Sequence, residues 1–143
     1  MVKAMSDIAI EEMEHFKMVH LLMIKRGMVL GREQKNDYAK HLHGFFVKTK
    51  NRTDALIQRL LITALIEARS CERFKVFSEN FADRELSDFY KELMVSEANH
   101  YTTFLGFARH YQYRKIVDKK WQGLLDYEAE FMKKRGVKPK VHG

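Results

Sequence analysis

The chain has 143 residues, enough for one ordinary domain and too few for a multidomain machine. Hydrophobic residues make up 45% and charged residues 31%, which suits a packed core and excludes wholesale disorder. Seven Gly and one Pro are too few for the turns of a sheet protein, so the composition is that of an all-α fold. Lys and Arg number 26 against 19 acids, a net charge of +7 that fits an anionic partner such as nucleic acid without requiring one. A single Cys, Cys71, excludes a disulfide framework and fits a reducing cytoplasm. No apolar run approaches the roughly 20 residues that cross a bilayer, and acids interrupt the N-terminal stretch too early for a signal peptide. A soluble, cytoplasmic protein without a membrane partner is expected.

Helix-period patterns cover most of the chain. The first predicted helix runs from about Lys3 to Lys25, with Gly27 and Gly31 as natural stops. A basic linker with a short helix near Tyr38–Val47 follows. The second long helix opens near Thr53 or Asp54, both plausible caps, and continues to about Asn80. The Ala82–Asp83 corner is short enough to imply an antiparallel neighbour, a third helix over Arg84–Tyr111. A fourth long helix spans Arg114–Lys134, and the tail GVKPKVHG is expected to be loose. The domain is thus placed at residues 1–136 and a flexible tail at 137–143.

Alternating three- and four-residue steps isolate one face of each long helix. The first face carries Met5, Ile8, Glu12, His15, Val19 and Leu22; the second carries Ile57, Leu60, Ala64, Glu67, Cys71 and Phe74. The third carries Leu86, Tyr90, Leu93, Glu97, His100, Phe104 and Phe107. Each apolar stripe is interrupted at mid-length by a carboxylate, and two of them add a His one turn later. Buried acids need cations or metals, and these stripes hold no Lys or Arg. A divalent metal pair resolves the conflict, with neutral imidazoles completing its coordination. The plainer alternative is that the acids are half-exposed on ordinary amphipathic helices. Glu67 lies 30 residues before Glu97, about the length of a helix, a corner and a return to the same level.

This pattern resembles the ferritin-like carboxylate di-iron proteins, with Glu-x-x-His on two helices and a lone Glu on two others. The segments EEMEHFKMVHLLMIKRG at Glu11–Gly27, LLITALIEARSCERF at Leu60–Phe74, RELSDFY at Arg84–Tyr90 and SEANHYTTF at Ser96–Phe104 make it more particular. Together they look like the tRNA 2-methylthio-isopentenyladenosine hydroxylases, the MiaE family, over Ala4 to about Phe107. The resemblance implies a ferritin-like antiparallel helix bundle and a non-haem di-iron monooxygenase. Such an enzyme uses O2 and two electrons to hydroxylate the isopentenyl group on the adenosine beside the anticodon. Glu12, His15, Glu67, Glu97 and His100 are then iron ligands, with Glu12 and Glu97 the better candidates to bridge the two iron ions. The implied partners are the tRNA anticodon stem-loop and an electron-transfer protein or reductase. The family pattern has a further helix, carrying a fourth Glu, before the first Glu-x-x-His. Here only 11 residues precede Glu12, so the bundle is expected to lack one N-terminal helix and to expose apolar surface. Glu128, on the stripe Val117, Trp121, Leu124, Glu128 and Phe131, is the internal substitute, although a Glu at such a place is more commonly exposed.

Glu72 is expected to pair with Arg69 or Arg73, and Glu11 to be solvated or to orient an imidazole. His20, His41, His43 and His110 read as surface or packing residues, while Tyr90, Tyr101, Phe104 and Phe107 read as core or as the wall of a prenyl pocket. The basic candidates for tRNA phosphates are Lys25, Arg26 and Arg32, the Lys48–Arg52 run, and Arg109, Arg114, Lys115, Lys119 and Lys120. Two other readings remain: an iron store or ferroxidase sharing the metal stripes, and a metal-free helical interaction module or inactive remnant.

Overall fold

The computed structural model describes residues 1–32 and 37–135. The expected tail over 137–143 lies outside the described residues. Five helices follow in order: α1 (Val2–Lys25), α2 (Asp37–His43), α3 (Arg52–Asn80), α4 (Arg84–Tyr111) and α5 (Arg114–Arg135). They fall into two units, Met1–Lys35 with α1 and Asn36–Gly143 with α2 to α5. The fold is all-α, and no helix among the described residues is long and apolar enough to cross a membrane.

In the first unit, α1 ends where the sequence places a stop. Gly27 adopts φ 69°, its N–H donates to the Ile24 carbonyl, and the Met28 N–H donates to Met23. This paired closure satisfies carbonyls that the last turn would otherwise leave open, and the left-handed position explains the glycine. The expectation of a buried stripe is corrected here, because α1 contains no buried residue. Met5, Ile8, His15 and Leu22 are half-buried, whereas Glu12 and Val19 are exposed. Ile10, Met13, Phe16, Leu21 and Ile24 are exposed too. The helix is apolar round much of its circumference, so its apolar residues are not confined to one stripe.

The second unit is built on the α3–α4 hairpin. Asn51, not Thr53 or Asp54, caps α3: its side-chain oxygen accepts from the Thr53 and Asp54 N–H groups at 2.9 and 3.1 Å. Only the residue before the first turn directs its side chain back at those N–H groups, which is why Asn51 prevails. At the far end, Asp83 caps α4 by accepting from the Leu86 N–H, and the Ser87 hydroxyl donates to the Ser78 carbonyl across the corner. Phe74, Phe77 and Phe81 gather around Tyr90 with ring centroids 5.0 to 5.6 Å apart. The core between the helices is formed by Ile57, Leu60, Leu61, Ala64 and Leu65 with Leu93, Phe104, Leu105 and Ala108.

α5 returns along this hairpin, and Val117 and Leu124 are completely buried. The α4–α5 corner is held by Asp118, which accepts from Arg109 at 2.8 Å and Arg114 at 3.4 Å. Lys120 reaches Asp54 of α3 at 3.5 Å. The short helix α2 begins one residue earlier than expected and stops at His43, four residues before Val47. Its end is set by Gly44, whose N–H donates to His41 and where an added Cβ would sit 3.3 Å from the Tyr127 hydroxyl. His41 is a packing residue, as expected, stacked against Tyr127 and Phe131 at 4.6 and 3.7 Å.

Candidate metal centre

Two of the three acids singled out by the stripes, Glu67 of α3 and Glu97 of α4, lie at the middle of the α3–α4 hairpin. On α4, Glu97 and His100 are 6% and 2% exposed, flanked by buried Leu93 and Phe104. One turn separates them, so both project from the same face. Glu67 of α3 is half-buried, and a carboxylate oxygen lies within 4.8 Å of a His100 ring nitrogen. The Ser96 hydroxyl stands 3.4 Å from His100 Nε2, which gives the two ring nitrogens different surroundings. In the other unit, the corresponding pair on α1 is close as well: His15 Nδ1 is 3.5 Å from Glu12 Oε1.

Cys71, a turn beyond Glu67, is half-buried. Burial pushes its thiol pKa up, and the Glu97 and Glu72 carboxylates add to that rise while Lys75 opposes it. A thiol held protonated is a poor metal ligand. The donors that remain are carboxylate oxygens and imidazole nitrogens, the set that suits iron or manganese in the divalent state and not a soft thiolate metal. By donor chemistry, these residues fit the implied metal.

Glu128 differs from its expectation in two ways. It is buried, at 2% exposed, not solvated. It is also fully engaged: Arg69 donates through Nε at 2.9 Å and through Nη2 at 2.6 Å, and the Tyr38 hydroxyl donates at 2.9 Å. A carboxylate clamped by a guanidinium has its negative charge already compensated, and a nearby metal would be repelled by the arginine. Glu128 is therefore a structural anchor between α2, α3 and α5 and does not substitute for a fourth metal carboxylate. Arg69 also bonds Glu72, one of the two pairings expected for that acid. These contacts hold the Arg69 guanidinium above its ordinary pKa, with the Glu128 bond the largest cause. Tyr38 is raised as well, first by burial and then by the Glu128 charge.

The basic candidates divide in the same manner. Arg109, Arg114 and Lys120 are drawn into ion pairs within the unit. Lys115 and Lys119 remain exposed on α5. The Lys48–Arg52 run borders a cleft completed by His43, Phe46 and Arg59, which the sequence reading did not connect to it. The aromatic candidates are core or near-core: Phe104 is buried, Tyr101 stacks on Trp121 at 5.9 Å and Tyr90 sits in the corner cluster.

Comparison with known proteins fits this arrangement. A tRNA 2-(methylsulfanyl)-N(6)-isopentenyladenosine(37) hydroxylase of Pseudomonas putida is 37% identical over 111 residues, covering 78% of this chain and 53% of its own length. The Salmonella typhimurium protein of the same name is 36% identical over 100 residues, covering 69% of this chain and 36% of its own. The chain thus spans about half or less of the length of these relatives. The family model described as tRNA-(MS2IO6A)-hydroxylase (MiaE) matches residues 1–143, and the chain belongs to that family.

Proposed function

We propose that this chain is, or is part of, a di-iron, O2-dependent monooxygenase that hydroxylates the isopentenyl group of 2-methylthio-isopentenyladenosine beside the tRNA anticodon. The observation that carries the reading is the buried Glu97–His100 pair with Glu67 beside it, in a chain of this family. A metal is one way to balance a buried carboxylate, and the oxygen and nitrogen donors suit iron. Glu12 and His15 of α1 are proposed to complete the ligand set of a ferritin-like site. Attack on an unactivated C–H bond lies outside the reach of side chains and is the chemistry a redox-active iron pair supplies when bound.

The chain's own residues then have distinct tasks. Glu67 and Glu97 offer carboxylate oxygens at the centre, and the buried His100 offers an imidazole nitrogen. The buried Leu93 and Phe104 make the surroundings of the pair apolar, which suits a prenyl chain. For balance, one oxygen atom enters the C–H bond and the other leaves as water, with two electrons and two protons from an external reductase or electron-transfer protein. The surplus of basic groups suits a tRNA substrate, and such an enzyme would work in the cytoplasm.

The test is anaerobic loading of the purified chain with Fe(II), followed by O2, reductant and tRNA carrying the prenylated nucleoside. Nucleoside mass spectrometry should show the gain of one oxygen atom with the wild type and none with Glu97→Ala or His100→Ala. Iron uptake with no hydroxylation would favour the store or ferroxidase reading. Absence of iron uptake would leave a metal-free helical module.

A further inference from the structure

We propose that the cleft between the α2–α3 loop and the first turns of α3 is a nucleotide subsite for RNA. In it, a phosphate would sit between Lys48 and Arg59 and the adjoining base against Phe46. The cleft has a volume of about 470 Å³ and lies wholly within the second unit. That volume falls in the range of small-ligand sites. Its polar lining comes from His43, Lys48, Thr49, Gln58 and Arg59, and none of the described residues that line it is acidic. Lys48 and Arg59 form no ion pair among the described residues, and two long cations beside an aromatic ring are the pairing that single-stranded nucleic acid exploits. The phosphate takes the charge and the base takes the π-face.

The loop is held in place and is not a loose basic strand. The Gln58 side-chain amide donates to the Val47 carbonyl at 3.3 Å, which fixes the backbone next to Lys48. The Asn51 N–H donates to the Thr49 hydroxyl at 3.1 Å. Phe45 is seated on α5, with its ring 5.3 Å from Tyr127 and close enough to Gly123 that a Cβ there would meet it at 3.2 Å. With Phe45 so anchored, Phe46 is turned roughly perpendicular to it and lines the cleft. Asn51 already occupies the first N–H groups of α3, so the attraction for an anion comes from the side chains.

The choice of RNA rests on the proposed tRNA substrate, whereas the cleft is argued from its own lining. The probe is a fluorescein-labelled, unmodified RNA stem-loop, titrated with the full chain across a range of salt and read by anisotropy. Lys48→Gln/Arg59→Gln should weaken binding about tenfold and lower the salt slope by about 0.7, the contribution of one phosphate contact on single-stranded RNA. Phe46→Leu should weaken binding about fivefold or more with the slope unchanged. Lys75→Gln/Lys91→Gln removes the same charge elsewhere and should change neither. Equal losses in both double variants would show charge alone at work and overturn the proposal. So would competition by inorganic phosphate as effective as that by adenosine monophosphate, or a wild type that binds no RNA. Because no iron is present, loss of hydroxylation with these effects intact would sink the enzymatic reading and leave the subsite standing.

Discussion

Glu128 is the residue on which the second unit turns. Its buried carboxylate accepts from Arg69 and Tyr38, drawn from two different helices. Arg69→Met would strand that charge, and the loss should be about 3–5 kcal/mol, toward the lower end because Arg69 keeps some contact with solvent. Urea denaturation of the variant checks this, and a loss below about 1 kcal/mol would show that the pair is mere surface electrostatics. Tyr38 adds a pH signature. Its pKa is raised in the folded chain by burial and by Glu128. In the unfolded chain it titrates near pH 10. Above that pH the unfolded state releases a proton that the native state retains, so stability is complete below about pH 10 and falls as pH rises. The wild type should lose about 1 kcal/mol more than Tyr38→Phe through the first pH unit above 10. The acid at 128 was legible as an interruption of an apolar stripe. Its partner was not, because Arg69 lies 59 residues away and off the stripe that Glu67 defines.

At the scale of elements, the long helices follow from their periodicity and from their corners. The α3–α4 turn is readable because Asp83 stands alone as a cap after a short break. The start of α3 is ambiguous in sequence because Asn51, Thr53 and Asp54 crowd one turn, and only the backbone direction selects Asn51. Asn51→Ala should therefore cost about 1 kcal/mol, and lower the thermal midpoint by about 3–4 °C. Thr53→Ala should cost much less, and a reversed order would mean that the cap is elsewhere. The end of α2 at His43 departs from the expected Val47 for a related reason. The apolar run Phe45–Val47 continues the helical pattern, but Tyr127 closes over Gly44, and the chain turns to place Phe45 on α5.

At the scale of the whole molecule, acids and histidines on apolar stripes are legible in the sequence, whereas the group they would bind is not. Carboxylates on apolar stripes could be seen directly, and the burial of Glu97 and His100 agrees with that reading. The exposure of α1's second apolar face could not be read from one stripe, since the other apolar residues are scattered between its acids. Metal loading turns the donor set into a measurable coupling. Iron that binds the folded state at a hundred times its dissociation constant should add about 2.7 kcal/mol of stability. Glu97→Gln should abolish that increment while leaving the metal-free protein as stable as the wild type or more so, because a neutral amide replaces a buried carboxylate. Glu12→Gln and His15→Ala, measured in the same way, report whether α1 supplies ligands. If they retain the full iron-dependent shift while Glu97→Gln loses it, the centre belongs to the α3–α4 hairpin alone and α1 serves another purpose.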